Sequence, residues 1–179
     1  MNKNEQNKIV DGCLNGNRKA HAKLYDAFKD AMFGICLRYA SSESEANDML
    51  QEGFITVFAK LKQFERNGAL PAWIKKVIIH AALGHLRKNK KHTEHHVTLD
   101  AKTTDLPFNP DSSQSTDELL YLIQNLPEEY RTVFNLFSIE GYSHKEVAEM
   151  LEISVANSKV RLMRAKEVLK QQVTTQKMM

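Results

Sequence analysis

The chain has 179 residues, 42% of them hydrophobic, and a formal net charge of +3. That is apolar material for one domain or two small ones, and too little charge to name a partner by itself. The two cysteines, Cys13 and Cys36, form no CxxC motif, the start "MNKNEQNKIVDG" lacks the apolar stretch of a secretory signal, and no apolar run reaches membrane-spanning length; the expected class is a soluble protein of the reducing cytoplasm, with no disulfide framework and no membrane insertion.

Glycine and proline are scarce, at 7 and 4 residues, and alternating apolar/polar runs are scarce too. Helical spacing dominates, so the expected fold is all-α. In "HAKLYDAFKDAMFGICLRYA", Leu24, Phe28, Met32 or Phe33, Cys36 and Tyr39 recur at three- and four-residue steps. The next segment, "SSESEANDMLQEGFITVFAKLKQF", opens on polar capping residues and continues through Met49, Leu50, Phe54, Val57, Phe58 and Leu61. A turn is expected at Asn67-Gly68, and Pro71 suits a first helical position. A third helix follows in "WIKKVIIHAALGHLRKNKK", with Ile74, Val77, Ile78, Ala81, Leu83 and Leu86 on its apolar side.

Charge is distributed unevenly. From Ile74 to Thr93 there is no acidic residue, while Lys75, Lys76, Arg87, Lys88, Lys90 and Lys91 are all basic. Such a run is either a solvated helix face or a phosphate-binding surface. The composition then changes: "VTLDAKTTDLPFNPDSSQS" holds two prolines, several Ser, Thr and Asp, and no helical stripe. It reads as a flexible linker. The expected organisation is therefore a helical domain over 1–96, a linker over 97–115 and a second helical domain over 116–179. In the latter, Thr116 or Asp117 is the expected N-cap, Pro127 starts a further helix, and Gly141 ends it.

The stretch "SHKEVAEMLEISVANSKVRLMRAKEVL" starts, stops and restarts a helix. Ser143 with Glu146 forms an S-x-x-E capping box, "EIS" is a three-residue turn, and Ser154 caps a second helix. On that second helix Ser158, Leu162, Ala165 and Leu169 form one stripe. Asn157, Arg161 and Arg164 lie to one side of it, and Lys159, Lys166 and Lys170 to the other. This is the layout of a helix-turn-helix whose second helix enters a major groove, where Ala156 and Asn157 permit close approach and Arg and Lys reach phosphate or guanine edges. The alternative from the pattern alone is an αα-hairpin with ordinary surface lysines.

"LPEEYRTVFNLFSIEGYSHKEVAEMLEISVANSKVRLMRAKEVLK" resembles region 4 of bacterial sigma factors of the extracytoplasmic-function type. The matching residues are Leu126, Pro127, Arg131, Val133, Phe134, Gly141, Ser143, Glu146, Ala148, Leu151, Ser154, Lys159, Arg161, Arg164, Ala165 and Leu169. "EANDMLQEGFITVFAKLKQF" is similar to region 2.2 of the same family, through Asp48, Leu50, Gln51, Glu52 and Phe54. "ALPAWIKKVIIHAALGHLRKNKK" is similar to regions 2.3 and 2.4, through Trp73, Arg87 and Lys88. Departures from the family pattern are His80 in place of a frequent Asn, Gly84 in place of Asp, Leu70 in place of an aromatic, and Ala156-Asn157 in place of Gly-Thr. They bear on base preference more than on fold or general role.

The resemblance implies a transcription initiation factor that binds core RNA polymerase and directs it to promoter DNA, under the control of an anti-sigma factor. It implies that Asp48, Gln51, Glu52 and Phe54 dock on a coiled coil of the largest polymerase subunits, although the spacing equally allows Phe54 to face the core. It implies that Arg66, Asn67, Trp73, Lys75, Lys76, His80, Arg87 and Lys88 handle the downstream (minus-10) element, with Trp73 divided between base stacking and core packing. It assigns the upstream (minus-35) element to Ser154, Val155, Ala156, Asn157, Lys159, Arg161 and Arg164, with Arg131 and Lys145 on backbone phosphate; some of these cations would instead pair with Glu149 or Glu152. The histidines His80, His85, His92, His95 and His96 match no closed zinc site and are read as a basic extension of the nucleic-acid surface. No cofactor, metal site or catalytic constellation is expected, so the chain is not read as an enzyme. The competing readings are a stand-alone helix-turn-helix repressor, distinguished by lacking a role for "NDMLQEGF", and a helical adaptor for an acidic protein, distinguished by lacking salt-dependent DNA affinity.

Overall fold

The computed structural model describes residues 2–95 and 114–176. Among these the chain is all-α, as expected: α1 (Lys3–Leu14), α2 (Arg18–Tyr39), α3 (Glu43–Lys60), α4 (Leu70–His95), α5 (Gln114–Gln124), α6 (Glu128–Phe134), α7 (His144–Leu151) and α8 (Val155–Gln176). A 3-10 turn over Leu61–Gln63 follows α3, and a π-helical turn over Asn135–Ile139 extends α6. The chain forms two compact units. One comprises α1, α2 up to Cys36, α3 from Ser44, the 3-10 turn and α4; the other comprises Leu37–Glu43 and α5 to α8. The expected linker lies outside the described residues except for Gln114 and Ser115, which already belong to α5. The expected cap at Thr116 or Asp117 therefore falls inside that helix.

In the first unit, Leu24, Phe28, Met32, Met49, Leu50, Phe54, Val57, Ile74, Ile78, Ile79, Leu83 and Leu86 are buried. The inner side of α4 is rotated slightly from the expected one. Ile79 and Ala82 are buried, whereas Val77 and Ala81 are only half-buried. Helices α3 and α4 approach closely because Gly53 has no side chain: a Cβ there would meet Ile78 Cδ1 at 2.5 Å. Helix α1 was not foreseen. Its start is a capping box of Asn2 and Glu5, and it buries Val10 and Cys13.

In the second unit, Leu122, Ile123, Leu126, Val133, Leu136, Val147, Ala148, Leu162 and Ala165 form the core. Helices α6 and α7 both pack on α8. The turn between α7 and α8 is Glu152–Ser154, with Glu152 in the left-handed region (φ 55°, ψ 42°) and its N–H bonded to the Ala148 carbonyl. The Ser143–Glu146 capping box is present, and Ser154 Oγ accepts from Asn157 N at 3.0 Å. Both helix starts thus follow the pattern read from the sequence.

Candidate nucleic-acid interface

Helix α8 presents its candidate residues unequally. Ser158 and Ala165 are fully buried and Leu162 nearly so, which turns Val155, Ala156, Asn157, Lys159 and Arg164 outward; all five are exposed. Ser158 is more than a small filler. His144 Nδ1 lies 3.0 Å from its Oγ, and the His144 ring stacks on Phe137 at 4.2 Å. Desolvation there, then the charges of Lys159 and Lys166, lower the His144 pKa below its ordinary value of 6.5. Lys145 at the start of α7 is exposed. One expected contact is corrected, and a second is found in an ion pair. Arg131 is 3% exposed, and its Nη1 donates to the Gln124 carbonyl at 2.9 Å; a guanidinium held in the core to satisfy a helix-end carbonyl is withdrawn from any phosphate. Arg161 is half-buried, and its Nη2 pairs with Glu129 on α6 at 3.0 Å, rather than with Glu149 or Glu152.

On α4 the spacing sets Trp73, Lys76, His80 and Arg87 along one side. Lys76, His80 and Arg87 are exposed, whereas Lys75 points to the other side and is half-buried. Beside this row lies an open cavity of about 360 Å³. It is lined from the end of α3 and the 3-10 turn by Thr56, Lys60 and Gln63, and from α4 by Trp73, Lys76 and His80. Trp73 meets both of its readings: it packs on Phe64 with ring centroids 5.6 Å apart and also borders the cavity. At His80, desolvation, followed by the charges of Lys76, Lys60 and Arg87, lowers the pKa from its ordinary value of 6.5 and favours the neutral ring. Arg66 adopts φ 59° and its Nη2 bonds Asp11 on α1 at 2.5 Å, and Asn67 donates to Glu65 at 2.8 Å. These pairs hold the loop before α4. His92, His95 and His96 have side chains outside the described residues. Among the described residues no group of three or more His, Cys, Asp or Glu is placed to hold a metal ion.

The candidate docking residues lie on α3. Asp48 and Gln51 are exposed and share a face with Glu52. Phe54 does not belong to that face. It is 3% exposed, set edge-on to Tyr25 at 4.7 Å, and is corrected to a core residue. The large apolar side chain on the outer face is Ile55, 69% exposed, which sequence reasoning missed by one position. Glu52 is also tied to α4, with Oε2 3.4 Å from His85 Nδ1 and 3.8 Å from Lys88 Nζ. His85 further approaches Glu45 at 3.8 Å. Lys88 and His85, read from sequence as part of the basic surface, thus lie beside acids of α3.

A unit with a cation-bearing helix beside an open cavity, followed in the chain by a capped helix-turn-helix, defines a DNA-binding regulatory protein. Family models narrow this: residues 24–92 match sigma-70 region 2, and residues 116–169 match sigma-70 region 4. The chain is 29% identical to the ECF RNA polymerase sigma factor SigW of Bacillus subtilis, over 93% of this chain and 95% of that one. It is 23% identical to the ECF RNA polymerase sigma-E factor of Haemophilus influenzae, over 92% and 93% of the two chains. Its fold is similar to that of the sigma factor RpoE of Bartonella quintana, solved in complex with the anti-sigma factor NepR, with a TM-score of 0.59 at 17% identity over 86% of this chain and 96% of that one. The chain belongs to the sigma-70 family, as a sigma factor of the extracytoplasmic-function type. Among the described residues no helix is long and apolar enough to cross a membrane.

Proposed function

We propose that this chain divides initiation among three faces. The outer face of α3, with Asp48, Gln51 and Glu52 around the apolar Ile55, docks on core RNA polymerase. An apolar centre ringed by polar and acidic groups is the arrangement of an interface anchor. The α4 row of Trp73, Lys76, His80 and Arg87 takes the separated strand of the minus-10 element: cations follow the phosphates, and the cavity beside Trp73 admits an unstacked base. The start of α8, with Asn157, Lys159 and Arg164 and with Lys145 on α7, takes the minus-35 element as duplex. The polymerase supplies the chemistry, and this chain supplies promoter choice.

The observation that carries the reading is the presence in one chain of a region 2 match and a region 4 match, each with an exposed cationic helix. A stand-alone helix-turn-helix repressor would leave the first unit without a role. Action on chromosomal promoters puts the protein in the cytoplasm, in keeping with Cys13 and Cys36 forming no disulfide. Because the Bartonella quintana relative was solved with an anti-sigma factor, we assign this chain an inhibitor of the same kind. The test is co-purification with core RNA polymerase, followed by run-off transcription from promoters drawn from genomic DNA. Binding to core and initiation at a shared two-element sequence are expected. Retardation of duplex DNA with no affinity for core would replace this reading with the repressor.

A further inference from the structure

The outermost side of α8 is apolar where a polar surface would be the default. Opposite its buried residues, 3.6 residues per turn sets Ala156, Val160 and Met163 on one strip. Val160 is 47% exposed and Met163 is 52% exposed. Exposed Lys159, Lys166 and Lys170 border the strip on one side, and exposed Asn157 and Arg164 on the other. A single exposed aliphatic side chain needs no explanation. Two large ones, consecutive on the strip and framed by cations on both edges, fit one occupant: a polyanion with apolar groups along the floor of its groove. A DNA major groove is that surface, since phosphates line its walls and the one apolar group on its base edges is the 5-methyl of thymine. The acid on this side, Glu167, comes a turn later, past the N-terminal part of the helix that meets base edges.

We propose that Val160 and Met163 are specificity-determining residues that read thymine methyl groups in the upstream element; this deepens the proposed role of α8 and rests on it. The two side chains start about 4.5 Å apart along the helix axis, against about 3.4 Å per base step, so they cover neighbouring base pairs. Against a base edge without a methyl they would cover polar atoms and return no hydrogen bond. Thymine is therefore favoured on whichever strand faces them. The sequence departures at Ala156 and Asn157 sit on or beside the same strip, and Ala156 extends it by one methyl.

The test uses holoenzyme reconstituted from core polymerase and the full chain, on a promoter it initiates from. Each thymine of the upstream element is replaced in turn by uracil, which removes only the methyl. One or two such replacements should weaken binding by the wild-type protein about fourfold each, the worth of one buried apolar carbon. Val160→Ala and Met163→Ala should each weaken binding to thymine DNA and abolish the thymine–uracil difference at one position. Met163→Leu should keep that difference. Both positions of change are exposed, so unchanged circular dichroism is expected. Equal wild-type affinity for every uracil duplex, an upstream element with no A·T pair, or a thymine–uracil difference that survives in both alanine variants would each overturn the proposal. Initiation with indifference to the methyl removes this inference alone; failure to initiate anywhere removes the proposed function with it.

Discussion

Arg131 shows how one side chain's surroundings decide between two readings of the same letter. Buried at 3% exposure, it carries its charge into the core to meet the Gln124 carbonyl. Removing such a partner leaves a buried acceptor unsatisfied, which costs more than the hydrogen bond itself contributed. Arg131→Ala should therefore destabilise the second unit by about 2 kcal/mol, measured by thermal or denaturant unfolding. The salt dependence of DNA binding should be unchanged, because no phosphate contact is lost. Phe54 and Ile55 make a matching pair on α3. Phe54→Ala should cost about 3 kcal/mol through the cavity it leaves in the first unit. Ile55→Ser, at a residue 69% exposed, should leave the melting transition in place and weaken affinity for core polymerase about tenfold. If Ile55→Ser bound core as well as wild type, the α3 face would lose its apolar anchor.

At the scale of elements, the α7–α8 pair was legible because its signals are local. Ser143, Glu146 and Ser154 each satisfy backbone N–H groups within three residues, so the letters alone fix the helix starts. The same kind of signal marked α1, through Asn2 and Glu5, and only the short apolar content around Val10 and Cys13 hid it. What is decided by packing was not legible. A helix buried over a wide arc, as α3 is, lets two adjacent apolar residues compete for the core, and spacing does not choose between Phe54 and Ile55. The pairing of Arg161 with Glu129 joins α8 to α6, and no sequence interval announces it. His144 is another such case, placed by Phe137 and Ser158 together. Its folded pKa is lowered, so the unfolded state holds more protons over the window between the two values. Stability then rises with pH across that window: it is complete above about pH 7.5 and is lost as pH falls through the unfolded value near 6.5 and on toward the folded one. Melting of the second unit should shift down between pH 8 and pH 5.5, and His144→Gln should flatten that part of the profile. An unaltered profile in the variant would show that His144 is not the group responsible.

On the scale of the whole molecule, the net charge of +3 is uninformative, and the placement of cations carries the argument. Several basic residues have partners within the protein: Arg131 in the core, Arg161 on Glu129, Arg66 on Asp11 and, itself exposed, Lys88 beside Glu52. The exposed candidates are Lys76, Arg87 and Lys88 on α4, and Lys145, Lys159 and Arg164 on the second unit. If these two sets meet different forms of DNA, they should leave different marks on the salt dependence. Each phosphate neutralised on duplex contributes about 0.9 to the slope of log affinity against log salt, and each on a single strand about 0.7. With holoenzyme, whose polymerase contribution cancels between variants, Lys159→Gln should flatten the slope for a duplex upstream element by about 0.9 and leave binding to a single-stranded downstream element unchanged. Lys76→Gln should do the reverse, flattening only the single-strand slope, by about 0.7. Should both substitutions reduce the duplex slope alike, α4 would be a general phosphate surface, and the assignment of melted DNA to the first unit would fail.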